Sequence, residues 1–198
     1  MGSRLNYSQY RAIDLTIFGV LLIVFESIAT KAAIHFSSQP YFISIVPAIT
    51  CIVYMRWGAF GCIHAAMGGL VYCIATGGSA VHYLIYMVGN LFSAVVLLLL
   101  KRIGPAKVRD KVVLSFGMAV LVSFLMQIGR GIVAVIVGAV EISMIFGFVL
   151  TDVLSGFFAV VIVLIVRRLD GVFENQRSYL LRVQREEMKD KEEGFDEG

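Results

Sequence analysis

Two long apolar stretches, residues 112–138 and 144–166, constrain the fold of this chain most strongly. Each is long enough to cross the hydrocarbon core of a bilayer as one helix. The first contains Arg130 and the second contains Asp152. A charged side chain within a membrane is costly, so it marks a functional site by default. If the turn lies near residues 139–143, both charges are about eight residues from it, roughly 12 Å below the outer surface.

The composition extends this pattern to the whole chain. Of the 198 residues, 59% are hydrophobic, and the mean hydropathy is +0.85, whereas soluble domains contain about 45–50% apolar residues. Because the excess lies in long runs, the sequence predicts an all-α, polytopic membrane protein with six transmembrane helices. The predicted spans are residues 12–34, 42–56, 58–76, 82–100, 112–138 and 144–166.

The chain divides into a six-helix transmembrane domain, residues 1–169, and a charged, amphipathic cytoplasmic tail, residues 170–198. Apolar residues such as Phe173 and Leu180 alternate with arginines in the tail. One interpretation is a helix on the inner leaflet, where basic residues meet anionic lipid. The other is a solvated helix that frays into the acidic C-terminus.

The orientation follows from the distribution of basic residues. Of the 17 Lys and Arg residues, all but Lys31 and Arg130 lie in the N-terminus, the second and fourth connections and the tail. Because positively charged connections stay on the cytoplasmic side, the sequence predicts that both termini are cytoplasmic. The remaining connections then face outward.

Four predicted spans each place a polar group at the same depth, just outside the midplane. These groups are Glu26, Asn90, Arg130 and Asp152. Gln127 lies three residues before Arg130 and therefore shares its helix face. One polar residue per helix is common between packed membrane helices, but four at one depth favour a ligand pocket. Structural ion pairing remains the alternative.

Aromatic and histidine side chains lie near the predicted outer side. Tyr83, Tyr86 and Asn90 share one face at α-helical spacing, and the two tyrosines suit either stacking on a flat ligand or an aromatic belt. His35 and His82 lie at the outer interface, as ligand contacts or as ordinary surface residues. His64 lies deeper, where a hydrogen bond between helices is the favoured role.

Several chemistries have no signature in the sequence. It lacks the G-x(4)-G-K-[ST] loop of ATPases, the H-E-x-x-H metal motif and the G-x-S-x-G nucleophile motif. Cys51, Cys62 and Cys73 lie in apolar segments without CxxC spacing, so they resemble small buried hydrophobic residues rather than metal ligands. No catalytic residue, metal or cofactor is predicted in this chain.

The stretch RWGAFGCIHAAMGGLVYCIATGGSAVHYLIYMVGNLFSAVV carries a family resemblance. It resembles the substrate-binding S component of an energy-coupling-factor (ECF) importer for vitamins. The resemblance extends to the six-span layout and the basic connection before span 5. It implies a multi-pass protein of the prokaryotic cell membrane that is not itself an enzyme.

The resemblance also implies partners and a binding site. Substrate would be held near the outer face, which matches Tyr83, Tyr86, Asn90, Arg130 and Asp152. A transmembrane scaffold subunit and two ATPase subunits would complete the importer, with ATP used by those partners. Arg130, Asp152 and the tyrosines would suit a flat heterocycle with an anionic or amide group.

Span 1 of S components typically contacts the scaffold through a motif of two small residues four apart, and here the match is partial. Near the inner end the chain offers Ala12, Thr16 and Gly19. The clear pair, Ala29 and Ala33, lies near the outer end.

Two alternative functions remain at this point. One is a small intramembrane enzyme that acts on a lipid or isoprenoid, which needs catalytic groups near the inner interface. The other is a structural subunit of a larger membrane complex. The position of the ionisable residues on the predicted outer side disfavours the enzyme.

Overall fold

The chain folds into a bundle of helices in the computed structural model, which describes residues 7–36, 43–183 and 185. Within these ranges the regular structure is all helical. The named helices are α1 (Tyr7–His35), α2 (Val46–Trp57), α3 (Gly61–Thr76), α4 (Ala80–Ile103), α5 (Pro105–Asp110), α6 (Val112–Ile136), α7 (Ile142–Thr151) and α8 (Val153–Val166), and residues 176–183 are also helical. The rest of the predicted tail, residue 184 and residues 186–198, lies outside the described residues.

Several of these helices are long and apolar enough to cross a membrane. By length and composition, four helical stretches meet that description: Tyr7–His35, Ala80–Ile103, Val112–Ile136 and the continuous stretch Val46–Thr76, although the last of these folds back on itself. A fifth is formed if α7 and α8, which are bent by 46° at Asp152, count as one broken span. The predicted all-helical class is therefore confirmed, and the described residues provide four or five apolar helices of spanning length where the sequence predicted six.

The stretch Val46–Thr76 is a tight hairpin of α2 and α3. A Cβ atom added to Gly68 would lie 2.4 Å from Val46, and one added to Gly61 would lie 2.4 Å from Tyr54. The helices therefore run side by side in opposite directions. The reversal uses Gly58, whose φ of +58° favours glycine.

Helix α2 is the centre of the bundle. All of its 12 residues are buried, against α1, α3, α6 and α8. At 1.5 Å per residue it is about 18 Å long, well short of the roughly 30 Å hydrocarbon core. Because every residue of α2 is buried, longer neighbouring helices enclose it over its full length.

The basic connections meet at one end of the bundle, here called the basic end: the start of α1, the α2–α3 turn, residues 104–111 and residues 167–183. Arg56 joins three of its parts. The guanidinium donates to Asp14 at 2.7 Å and to the carbonyls of Gly171 at 2.6 Å and Val172 at 2.8 Å. The Arg167 side chain donates to the carbonyl of Arg109 at 3.0 Å.

The first residues of the predicted tail belong to the bundle core. Phe173 is fully buried in the same apolar cluster as Tyr54 and Val108. Gln176 is also fully buried and accepts a hydrogen bond from the Tyr10 hydroxyl at 3.1 Å. The last apolar span is thus followed by a segment that closes the basic end, rather than directly by a free tail.

Glycines bring α4 and α6 into backbone contact. A Cβ atom added to Gly129 would lie 2.2 Å from the carbonyl oxygen of Gly89, and one added to Gly89 would lie 2.6 Å from the backbone of Arg130. No larger residue fits without moving the helices apart. This close approach sets the distance between Asn90 and Arg130.

We expect Gly129→Ala to destabilise the protein by about 1–3 kcal/mol, the usual cost of overpacking. The matched control is Gly117→Ala on the same helix, where an added Cβ meets nothing within 4 Å. Thermal unfolding in detergent, followed by the fluorescence of Trp57, measures both variants. Equal melting temperatures for the two variants would contradict the proposed contact.

Candidate functional site

The polar residues predicted to share one depth do come together. Arg130, Asp152, Asn90 and Glu26 are 6%, 7%, 0% and 1% exposed, respectively. Together with Gln127, Ser44 and Ser155 they form one connected set of hydrogen bonds, which we call the polar network. Its members come from α1, the start of α2, α4, α6 and the α7–α8 bend.

Arg130 is the centre of the polar network. Its Nε donates to Oδ1 of Asn90 at 2.8 Å. Its Nη1 donates to Oε1 of Gln127 at 3.2 Å and to Oδ2 of Asp152 at 3.3 Å. The ion pair predicted between α6 and the last span is therefore present. Charge-assisted hydrogen bonds of this kind are about twice as strong as neutral ones.

The Arg130 guanidinium has one nitrogen left over. Among the described residues, none accepts a hydrogen bond from Nη2 of Arg130. A guanidinium carries five N–H donors in a fixed planar fork. Since Nε and Nη1 are held by neighbours, the direction of the Nη2 donors is fixed by the protein.

Asn90 is held in turn by the hairpin. Its Nδ2 donates to the carbonyl oxygen of Ala65 on α3 at 2.9 Å. The backbone carbonyl oxygen of Asn90 accepts a hydrogen bond from the Ser93 hydroxyl at 2.7 Å. The Ser93 hydroxyl also lies 2.9 Å from the Tyr54 hydroxyl of α2. Arg130 is thereby fixed to α3 and α2 through α4.

Asp152 lies where the last span bends. Its φ of −115° and ψ of 16° interrupt the helix between α7 and α8. The carboxylate accepts hydrogen bonds from Nε2 of Gln127 and from the Ser155 hydroxyl, in addition to Arg130. The bend thus places an acceptor-rich carboxylate against α6.

Glu26 belongs to α1, and its carboxylate lies at the start of α2. Its carboxylate accepts hydrogen bonds from the Ser44 hydroxyl at 2.9 Å and from the backbone N–H of Ile45 at 3.0 Å. A negative charge there complements the unpaired N–H groups and the dipole of α2. Ser44 donates its backbone N–H to Ser155 Oγ at 2.9 Å, which connects Glu26 to Asp152.

Ser44 was missed in the sequence. The signal that points to it is a serine just before a helix with proline in its first turn, which is typical of a helix start. In the structure its hydroxyl accepts a hydrogen bond from the N–H of Val46 at 3.2 Å. The sequence predicted one apolar span over residues 42–56, and that prediction ran across the helix start at Val46 without marking it.

One predicted tyrosine lies directly against Arg130. The guanidinium carbon lies 4.9 Å from the ring centroid of Tyr86, within cation–π range. Tyr72 of α3 packs on Tyr86 with ring centroids 4.4 Å apart. The guanidinium, the Tyr86 ring and the Tyr72 ring therefore pack in that order.

Tyr83 does not share that position. Residues Leu84–Val88 form a π-helical turn and residues Leu91–Val95 a 3₁₀ turn. A π turn shifts the helix register relative to α-helical spacing. Tyr83 is half-buried, and among the described residues its side chain takes no part in the polar network.

The histidines are separate from the polar network. His82 is exposed and its Nδ1 lies 2.9 Å from the Ser79 hydroxyl at the start of α4. His35 is exposed beside Phe36 at the end of α1. Nε2 of His64 donates to the Leu15 carbonyl at 3.0 Å, which confirms the predicted hydrogen bond between helices.

The small residues predicted on α1 face different ways. Ala12 and Thr16 are exposed, whereas Gly19 is buried and packs against α3. Ala29 and Ala33 are partly buried. In the most apolar 18-residue stretch of α1, only 17% is buried in the bundle. This helix therefore presents a long apolar surface.

No family model, curated protein or solved structure matches the chain. The resemblance to S components stays a prediction from the sequence.

The Arg130–Asp152 pair is expected to be strongly coupled, because removal of either partner leaves a buried charge without its counterpart. Arg130→Met, Asp152→Asn and the double variant form a mutant cycle. We expect a coupling free energy of about 1–3 kcal/mol from thermal or denaturant unfolding. Additive single effects would contradict the pairing.

The control cycle for this experiment is the exposed pair Arg182–Asp170, whose side chains are 42% and 76% accessible. Exposed pairs usually contribute less than about 1 kcal/mol. We therefore expect a coupling below that of the buried pair.

Proposed function

We propose that this chain is the membrane-embedded, ligand-binding subunit of an ECF-type importer for a vitamin or related micronutrient. It has six transmembrane helices and both termini in the cytoplasm. The chain binds its ligand from outside and depends on a scaffold subunit and two ATPase subunits for energy. It is not itself an enzyme.

The observation that carries the proposal is the state of Arg130. Three acceptors fix Nε and Nη1, while Nη2 has no acceptor among the described residues. The Tyr86 ring lies against the same guanidinium, and Tyr72 packs on the Tyr86 ring. A fixed cationic donor beside aromatic rings suits a flat molecule with an anionic or carbonyl group.

The architecture supports the six-span arrangement. The Val46–Thr76 stretch is a hairpin, and α7 with α8 forms a bent pair. The structure has four stretches long and apolar enough to cross a membrane, or five with the bent pair; the proposed total of six treats the two arms of the hairpin as separate spans. The basic connections within the described residues gather at one end, which is the distribution expected of a cytoplasmic face.

The exposed apolar surface of α1 supports a membrane partner. Ile13, Ile17, Val20, Val24 and Ile28 are all at least 44% exposed on this helix. Such a surface suits either lipid or the helices of a scaffold subunit. The partly buried Ala29 and Ala33 offer a place where another helix can approach closely.

A structural subunit is the second candidate, and a specific observation favours it. The carboxylates of Glu26 and Asp152 are satisfied by neighbouring groups of the chain itself. A network of this kind stabilises a bundle whether or not a ligand binds. A purely structural network does not require the Nη2 donors of Arg130, which have no acceptor among the described residues.

The test is ligand binding by Arg130→Lys, which keeps the charge beside Asp152 but loses the planar fork. Thermal shift against a panel of water-soluble vitamins identifies the ligand for the wild-type protein, and titration gives its Kd. We expect Arg130→Lys to weaken binding by about 10- to 100-fold, the loss of one charge-assisted hydrogen bond.

The matched control is Lys31→Ala, which removes the other cation that the sequence places within a span; Lys31 lies on α1 and is exposed. We expect this variant to bind the ligand as the wild type does. If no panel member binds and no small molecule co-purifies with the wild type, the structural candidate is favoured. If Arg130→Lys lowers the melting temperature but leaves the Kd unchanged, Arg130 only stabilises the bundle, and the ligand-binding role proposed for its Nη2 donors is wrong.

A further inference from the structure

A lateral groove runs along the crevice between α6 and the last span. It has a volume of about 310 Å³ and is lined almost entirely by apolar side chains, including Phe116, Val120, Phe124, Val153 and Phe157. These five side chains are 42% to 63% exposed, so the groove opens sideways from the bundle.

One end of the lateral groove is polar. Gln127 and Asp152 line it there, eleven residues along α6 from Phe116. That distance corresponds to about 16 Å of helix. Gln127 lies well inside α6, so the polar end is at mid-height of the bundle and the apolar walls extend from it toward the basic end.

The polar end has one acceptor and one donor to spare. Oδ1 of Asp152 accepts from Ser155, and a carboxylate oxygen accommodates two hydrogen bonds. Nε2 of Gln127 donates one of its two hydrogens to Asp152, while Oε1 of Gln127 accepts from Arg130. A hydroxyl group, which is both donor and acceptor, matches these two side chains.

We propose that the lateral groove binds a free, uncharged alcohol with an apolar chain, whose hydroxyl donates to Asp152 and accepts from Gln127. The volume equals roughly ten liquid-water volumes of about 30 Å³. A methylene group takes up a similar space, so the groove holds about ten chain carbons. This site goes beyond the proposed import function and rests only on insertion of the helices in a membrane.

The depth of the polar end selects the class of ligand. In a bilayer the groove opens into hydrocarbon, where a charged head group is costly. A phospholipid keeps its head group at the interface and brings a terminal methyl group to this depth. A free alkyl or isoprenoid alcohol can place its hydroxyl there, because an unpaired hydroxyl in hydrocarbon gains most from a partner.

The experiment uses the full-length protein in phosphatidylcholine vesicles and a 1-decanol analogue that carries a photoactivatable diazirine on its chain. Mass spectrometry maps the labelled residues. We expect labelling of the groove walls on α6 and α8. Unlabelled 1-decanol should suppress it at about 3- to 10-fold lower concentration than n-decane, the range that one hydrogen bond in a membrane provides.

Val120→Trp fills the lateral groove from its exposed wall and should abolish the labelling of Phe116 and Phe157. Phe158→Trp is the matched control, because Phe158 is also exposed on α8 but does not line the groove. We expect it to be labelled as the wild type is. If Val120→Trp fails to fold, the decanol-to-decane ratio on the wild type decides.

Three results would overturn the proposal. Labelling spread evenly over the exposed faces of all helices would identify ordinary surrounding lipid. Equal competition by decane and decanol would show that Asp152 and Gln127 form no hydrogen bond with the ligand hydroxyl. Cross-linked dimers through α6 and α8 would identify the groove as an interface between copies of the chain. None of these results bears on the Arg130→Lys binding test, so the two proposals fail separately.

Discussion

The interaction on which the structure depends is the pairing of the Arg130 guanidinium inside an apolar bundle. A buried cation of this size is tolerated only where several acceptors surround it. Asn90, Gln127 and Asp152 supply those acceptors from α4, α6 and the α7–α8 bend. Because the acceptors come from different helices, the requirements of one side chain determine how three parts of the chain approach each other.

The same logic accounts for the short central helix. Helix α2 begins deep in the bundle, where its first N–H groups have no water to bind. Glu26 and Ser44 satisfy that helix start, and Ser44 also bonds to Ser155 beside Asp152. The start of α2 and the Arg130 pair are therefore parts of one polar network. Arg56 performs a comparable role at the basic end, where it joins α1, α2 and the segment after α8.

Much of this arrangement could be predicted from residues alone, since helix rise converts sequence position into depth. Counting from the turns placed Arg130, Asp152, Asn90 and Glu26 at one level, and they do meet. The exclusion of Tyr83 from the network could not be predicted, because the π turn at Leu84–Val88 leaves no signature in apolar periodicity. The burial of Phe173 could not be predicted either, because it depends on packing against Tyr54 and Val108, which are distant in the sequence. In the sequence alone, its aromatic ring suited a membrane surface equally well. Glycine contacts such as Gly89 with Gly129 depend on helix pairing, which periodicity does not specify.

The role of Arg130 is tested most directly by an experimental density map of the protein purified from its cells, at a resolution that shows side chains. We expect the Arg130 guanidinium between Asn90 and Asp152, with density for a bound molecule in contact with Nη2. An Arg130 side chain turned away from Asp152, or an Nη2 that is bonded to another group of the chain itself, would contradict this role.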